Sequence, residues 1–383
     1  MSIKGLIKTG IAIGCTVLSK IVPTFRMRIP NRKYNLKILA TVASDHPVYS
    51  KDTFCDSPIE KKVDVTLVIP FYCAKQEYID DCLRSLINQK TKFSYTILCI
   101  EDGSKDDTLE RLLVYERKYP ELIKVHHQSN AGISCARNKG IQLANSNYIG
   151  FIDQDDWVEP DYIEKLMELA TDNDADVVKS SHKVVQDGKV ISIYDIPNRK
   201  ITNDNKELIL EYSGMIWSGF YKKAMFNRIR FPEKYWYEDL IARNLLYRSA
   251  KIFVSIEDAL YVKRKHAENA STILWSGKNT KCYDHLFLLK HILEENDRLG
   301  LERDVVLQKS LLCELGQYLM WRTRGQKSQY RKSAFYDACY IARENIKEIS
   351  SFSKSEMEMY RCLMNNNYIK WLIVSWKEKA LEK

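Results

Sequence analysis

The chain has 383 residues, 45% of them hydrophobic, with 59 Lys+Arg against 50 Asp+Glu and a formal net charge of +9. This composition excludes a mostly disordered chain, and the length allows two domains with a real core. No uncharged apolar run approaches the roughly 18 residues of a membrane span, which excludes an integral channel or transporter.

The basic excess sits at the start of the chain. Lys4, Lys8, Lys20, Arg26, Arg28, Arg32, Lys33 and Lys37 fall in residues 1–40, which hold no acidic residue. The rest is nearly neutral, so the charge does not point to a nucleic-acid partner. Within this head, Ile3, Leu6, Ile7, Ile11, Ile13, Val17, Leu18 and Ile21 share one helical face, and Pro23 ends the pattern. An amphipathic helix beside clustered Lys and Arg is the pattern of in-plane binding to an anionic membrane surface. The competing reading is a helix docked on its own domain. Lys8 and Lys20 interrupt the apolar run and no A-x-A site follows, so a secretory signal fits poorly. The ten cysteines stand singly, with no CxxC pair, as buried reduced thiols do.

Residues 1–62 are read as this basic arm. From residue 63 strands and helices alternate. Val63–Ile69 is a β-rich run stopped by Pro70. Tyr78–Gln89 is helical, with Tyr78, Ile79, Cys82, Leu83, Leu86 and Ile87 on one face. Tyr95–Ile100 is a strand, and Ser104–Asp107 has the form of a capping box opening a helix to Tyr119. Ile123–His127 is a short strand, Ile133–Ala144 a helix, Tyr148–Ile152 a buried strand, Asp161–Thr171 a helix and Val177–Val185 a strand. Repeated βα units predict an α/β fold, a mostly parallel sheet with helices on both faces. Ligands of such sheets bind at the carboxyl ends of the strands. Beyond about residue 276 the spacing is helical, in Cys282–Leu299, Val305–Arg322, Tyr330–Ile349 and Lys354–Lys383.

Three acidic groups follow strands or precede apolar runs. Glu101-Asp102-Gly103-Ser104 ends a strand, and an ionised Asp is an acceptor for base or ribose donors. Asp153, Asp155 and Asp156 crowd three carboxylates after an apolar strand, an arrangement that favours a hard divalent cation such as Mn²⁺ or Mg²⁺. Glu238-Asp239 lies among aromatics, where a partly desolvated carboxylate can act as a general base. Taken singly, each also reads as an ordinary cap or solvated turn.

Together with Pro70-Phe-Tyr72 and Asn130-Ala-Gly-Ile-Ser-Cys-Ala-Arg137-Asn-Lys-Gly140, these blocks resemble family 2 glycosyltransferases over roughly residues 63–270. The resemblance implies a GT-A fold for residues 63–275, followed by an α-helical C-terminal domain, 276–383. It implies a nucleotide-sugar donor, a UDP-sugar, and a glycan or lipid-linked acceptor in surface polysaccharide synthesis. It places Pro70, Tyr72, Asp102, Arg137 and Asp153 at the donor nucleotide. Asp155 and Asp153 form the metal pair, with His266 a further candidate ligand; alternatively Arg264 and Lys265 meet the diphosphate. Asp156, Trp217 and Tyr237 fall on the donor-sugar or acceptor side, Asp156 alternatively bracing its own loop. Asp239 is the base of an inverting displacement, with Glu238 beside it. Cys73 stands where the family has Asn, and Glu101 where it has Asp. The expected location is the inner face of the plasma membrane, with a homodimer through the C-terminal helices as a further expectation. The alternatives are an inactive scaffold that binds nucleotide sugar and a nucleotidyltransferase; the latter lacks its Gly-rich loop in Pro70–Lys75.

Overall fold

The computed structural model describes residues 31–42, 62–269 and 278–381. The amphipathic pattern over residues 3–22 lies outside the described residues. The chain divides into two compact units. One comprises residues 47–234 and 238–266. The other comprises residues 1–46, 235–237 and 267–383.

The first unit is built on a ten-stranded sheet. Its strands are β1 (Val63–Phe71), β2 (Tyr95–Asp102), β3 (Ile123–Gln128), β4 (Ser146–Phe151), β5 (Trp157–Val158), β6 (Val177–Gln186), β7 (Lys189–Tyr194), β8 (Arg199–Ile201), β9 (Gly219–Lys222) and β10 (Phe253–Arg264). The order is β3-β2-β1-β4-β9-β6-β10-β5, with β7 beside β6 and β8 beside β10. β3, β2, β1 and β4 are mutually parallel, so their carboxyl ends share one edge. β9 runs antiparallel to both β4 and β6. The connecting helices are α2 (Gln76–Ile87), α3 (Thr108–Lys118), α4 (Ile133–Leu143) and α5 (Tyr162–Asp172), which follow α1 (Arg32–Ala40) of the second unit.

β1 does not stop at Pro70. Pro70 pairs with Ile100 of β2, while pairing to β4 ends at Val68. Pro70 therefore sits where β1 has lost one neighbour, and its missing N–H interrupts no ladder on that side. α2 buries Tyr78, Ile79, Cys82, Leu83 and Leu86, the stripe its 3.6-residue period sets out. The expected capping box at Ser104 is not formed. The Ser104 N–H donates to Glu101 Oε1 at 2.6 Å, and its hydroxyl accepts the Cys73 N–H at 2.9 Å. Asp106 instead receives the Thr108 N–H and hydroxyl.

The second unit is helical: α6 (Asp284–Leu299), α7 (Val305–Cys313), α8 (Leu319–Thr323), α9 (Ser328–Asn345), α10 (Lys354–Met364) and α11 (Tyr368–Leu381). A π-helical turn, Glu314–Tyr318, joins α7 to α8. The segment from Lys354 is broken at Asn366, whose φ is +57°. Trp371 is fully buried and donates to the Gly316 carbonyl at 3.0 Å. α1 belongs to this unit: Arg32 pairs with Glu344 at 2.8 Å and lies near Asp337, 3.8 Å, on α9. Arg32 is thus engaged within the chain. Among the described residues no helix is long and apolar enough to cross a membrane.

Candidate active site

The carboxyl edge of β1, β2, β3 and β4 carries most of the residues singled out by sequence. Tyr72 follows β1, Asp102 ends β2, Gln128 ends β3, and Asp153 lies two residues past β4. Arg137 projects from α4, which follows β3.

Arg137 is 3% exposed. Its Nη2 donates to Asp153 Oδ1 at 3.0 Å and its Nη1 to Glu238 Oε1 at 2.6 Å. Its guanidinium also lies over an aromatic face, 5.3 Å from the Phe231 ring centroid. Burial disfavours this cation, but the carboxylates of Glu238, Asp153 and Asp239 outweigh it and raise its pKa. One buried cation therefore ties the acidic turn after β4 to the Glu238-Asp239 pair. For Asp153, burial and the neighbouring Asp155 raise the carboxyl's pKa despite the pull of Arg137.

Asp155 faces the other way. Its Oδ2 lies 2.8 Å from His266 Nε2, and the His266 ring packs against Tyr78. A carboxylate and an imidazole that meet this closely make a mixed O/N donor pair. Such a pair suits a divalent cation that takes its remaining ligands from diphosphate and water. Among the described residues no group of three His, Cys, Asp or Glu side chains is arranged as a complete metal site. Asp153 gives its Oδ1 to Arg137.

The remaining candidates are held by neighbouring elements. Asp156 is 2% exposed, accepts from the Tyr261 hydroxyl at 2.7 Å and the Arg264 N–H at 2.7 Å, and joins the turn to β10. Burial and its acidic neighbours push its pKa well up. It braces its own loop. Asp102 is buried and accepts from Gln128, Ala131 and Gly132 at 2.7–2.9 Å and from the Asn130 amide at 3.3 Å. These donors tie Asp102 to the 130–132 loop. Arg264 donates to Asp81 and to the Asp155 carbonyl, with its guanidinium over Tyr78 and Trp157, so it braces the turn. Tyr237 is buried in the helical unit, under the Arg322 guanidinium at 4.1 Å and edge-on to His285. Trp217 is buried and stacks on Tyr261 at 4.8 Å.

Three contributors had no sequence signal of their own. Gln154, between the two aspartates, holds the Tyr72 backbone with both ends of its amide, 2.8 and 3.2 Å. Tyr261 receives the Asp153 N–H at 3.2 Å while donating to Asp156. Lys179, in the middle of β6, is buried beneath the 215–217 loop. Two of the non-glycine residues with positive φ fall at these blocks, Cys73 at +45° and Ser218 at +61°, while others, such as Asp174, Asp187 and Asn366, lie elsewhere. Such strain persists only where surrounding structure enforces it, and it concentrates at functional sites. A π-helical turn, Ala242–Tyr247, follows Asp239, another feature frequent at such sites.

Residues 66–229 match the family model described as Glycosyl transferase family 2. The chain is 28% identical over 283 residues to the glycosyltransferase EpsH of Bacillus subtilis (strain 168), covering 70% of this chain and 80% of that protein. It is 27% identical over 218 residues to the poly(ribitol-phosphate) beta-glucosyltransferase of Bacillus spizizenii (strain ATCC 23059 / NRRL B-14472 / W23), covering 54% of this chain and 33% of that protein. Its fold superposes on S. aureus TarS 1-349, solved in complex with UDP-GlcNAc, with a TM-score of 0.62 at 19% identity, over 82% of this chain and 89% of that one. The sheet order, the acidic turn past β4 and these matches agree: residues 66–229 carry a family 2 glycosyltransferase pattern, and the fold is GT-A.

Proposed function

We propose that the enzyme moves a sugar from a UDP-sugar to a hydroxyl of a glycan or polyol-phosphate acceptor in surface polysaccharide synthesis, with inversion at the anomeric carbon. The observation that carries this reading is the buried Arg137 bridge, which brings the acidic turn and the Glu238-Asp239 pair to one place. The donor class is supported by the UDP-GlcNAc bound to TarS, and the acceptor class by the name of the poly(ribitol-phosphate) relative.

In this reading Asp239 takes the proton of the acceptor hydroxyl. The hydroxyl oxygen attacks the anomeric carbon from the face opposite the UDP. The bond to the UDP oxygen breaks, and UDP leaves with the electron pair. Arg137 holds Glu238, and with it the neighbouring Asp239, in register with Asp153. A divalent cation held by Asp155 and His266 would neutralise charge on the departing diphosphate.

The test is UDP release from a panel of UDP-sugars with MnCl₂ or MgCl₂. Release should stop in EDTA and in Asp155→Ala. Asp239→Asn should lower kcat by roughly 10²-fold or more, with UDP affinity kept. Release that survives EDTA removes the metal pair, and near-normal turnover in Asp239→Asn removes the base.

A further inference from the structure

The 215–217 loop leads into β9 and turns its carbonyls inward. Each is met by a buried side-chain donor. Lys179 Nζ donates to the carbonyls of Met215, at 3.0 Å, and Trp217. The Tyr221 hydroxyl donates to Ile216 O at 2.9 Å, and the Tyr247 hydroxyl to Met215 O at 3.1 Å. Lys179 is 3% exposed and its ammonium lies 5.9 Å from the Tyr221 ring centroid. Tyr221 and Tyr247 stack nearly parallel at 6.4 Å. This is an unusual place for a lysine. A core tyrosine or glutamine satisfies carbonyls without bringing a cation out of water, so the amine must hold something an uncharged donor does not.

The surroundings say what that is. Tyr247 belongs to the π-helical turn that follows Asp239. A Cβ added to Gly214 would lie 3.8 Å from the Asp239 carbonyl, so the loop and the Glu238-Asp239 segment are neighbours. Burial lowers the Lys179 pKa to about 7, and the Asp239 carboxylate acts against that fall. At the other end of the loop Trp217 stacks on Tyr261, whose hydroxyl joins Asp153 and Asp156. Lys263 stands over the Trp217 ring at 5.1 Å. The close approach is enforced at Gly219, where any Cβ would run into the Val178 carbonyl and the Lys179 side chain.

We propose that Lys179 is a positioning residue for sugar transfer, a buried amine pin that fixes the 215–217 loop and sets the carboxylate of Asp239 against it. This rests on the reading of Asp239 as the base. The pin touches neither donor nor acceptor. It acts through Asp239 on one side and through Trp217 and Tyr261 on the other.

The test is a double-mutant cycle of Lys179→Met and Asp239→Asn, read by kcat for UDP release from the best UDP-sugar with MnCl₂ and by UDP affinity in calorimetry. Lys179→Met should lower kcat about tenfold or more while UDP affinity stays within about twofold. Added to Asp239→Asn it should cause little further loss, because both changes remove one function. A merely structural role would give additive losses and weaker UDP binding, and that result overturns the proposal. Tyr247→Phe deletes one bond to the same loop at nearly constant volume. It should lower kcat by a smaller factor with UDP affinity unchanged, and it decides the matter if Lys179→Met does not melt cooperatively; unchanged kcat in Tyr247→Phe then overturns the pin. If Lys179→Met is silent while Asp239→Asn is slow, the pin alone fails. Wild-type kcat in Asp239→Asn overturns the base, and the pin with it.

Discussion

Arg137 shows why a buried charge in this molecule is worth its desolvation. Its two carboxylate partners, Asp153 and Glu238, come from segments far apart in the chain, and removing one side of such a bridge typically costs about 3–5 kcal/mol. Its sequence context pointed to the nucleotide site, but no local spacing reveals that Glu238 is its partner. Lys179 was silent for the same reason: it sits in a strand-forming run, and its partners Met215 and Trp217 are distant in sequence. Its burial has a thermodynamic consequence. The ordinary lysine pKa is 10.5, and in the fold it falls to about 7. Between those values the unfolded chain holds a proton that the folded chain has released, so this group makes stability rise with pH. Below about pH 7 both states are protonated and the penalty is constant. Asp239 and His182 are the ionisable groups coupled to it, and burial together with Lys179 and Lys263 pushes His182 down to about 3, so it stays neutral across this range. Thermal melts of wild type and Lys179→Met should therefore draw apart in favour of wild type between about pH 7 and pH 10. Parallel curves across that window would contradict the buried, proton-losing lysine.

At the scale of elements, the parallel half of the sheet was legible because each βα unit declares itself locally. α2 carries its apolar stripe, and β2 and β4 are short apolar runs bounded by turns. β9 and β10 were not predicted as strands. β9 has four residues, and its partners β4 and β6 lie far from it in sequence, so nothing local marks it. The helical region was legible as helix but not in its breaks, since the π-helical turn at Glu314–Tyr318 and the turn at Asn366 follow from packing and backbone geometry rather than from period. One packing contact sets the seat of Arg137. Gly140, on the same helix, lies so close to β1 that an added Cβ would collide with both methyls of Val68. Gly140→Ala should overpack this contact and cost about 1–3 kcal/mol, seen as a lower urea midpoint. An unchanged midpoint would show that α4 can lift from β1 without penalty.

At the scale of the molecule, the net charge of +9 misleads until it is divided. The excess belongs to residues 1–40, and in the described part of that head, α1, Arg32 engages Asp337 and Glu344 of the helical unit. The catalytic unit concentrates carboxylates instead, and each has a separate role. Asp102 anchors a loop, Asp153 meets Arg137, Asp155 meets His266, and Asp156 braces β10. Motif spacing identified this set. It could not divide the labour, because that depends on which side chain of a neighbouring element each carboxylate meets. The proposed function has Asp239 act as base in a single displacement, and the stereochemistry of the product tests that directly. Proton NMR of the sugar first released when the enzyme hydrolyses an α-linked UDP-sugar, recorded before mutarotation, should show the β-anomer. Initial release of the α-anomer would contradict a single inverting displacement.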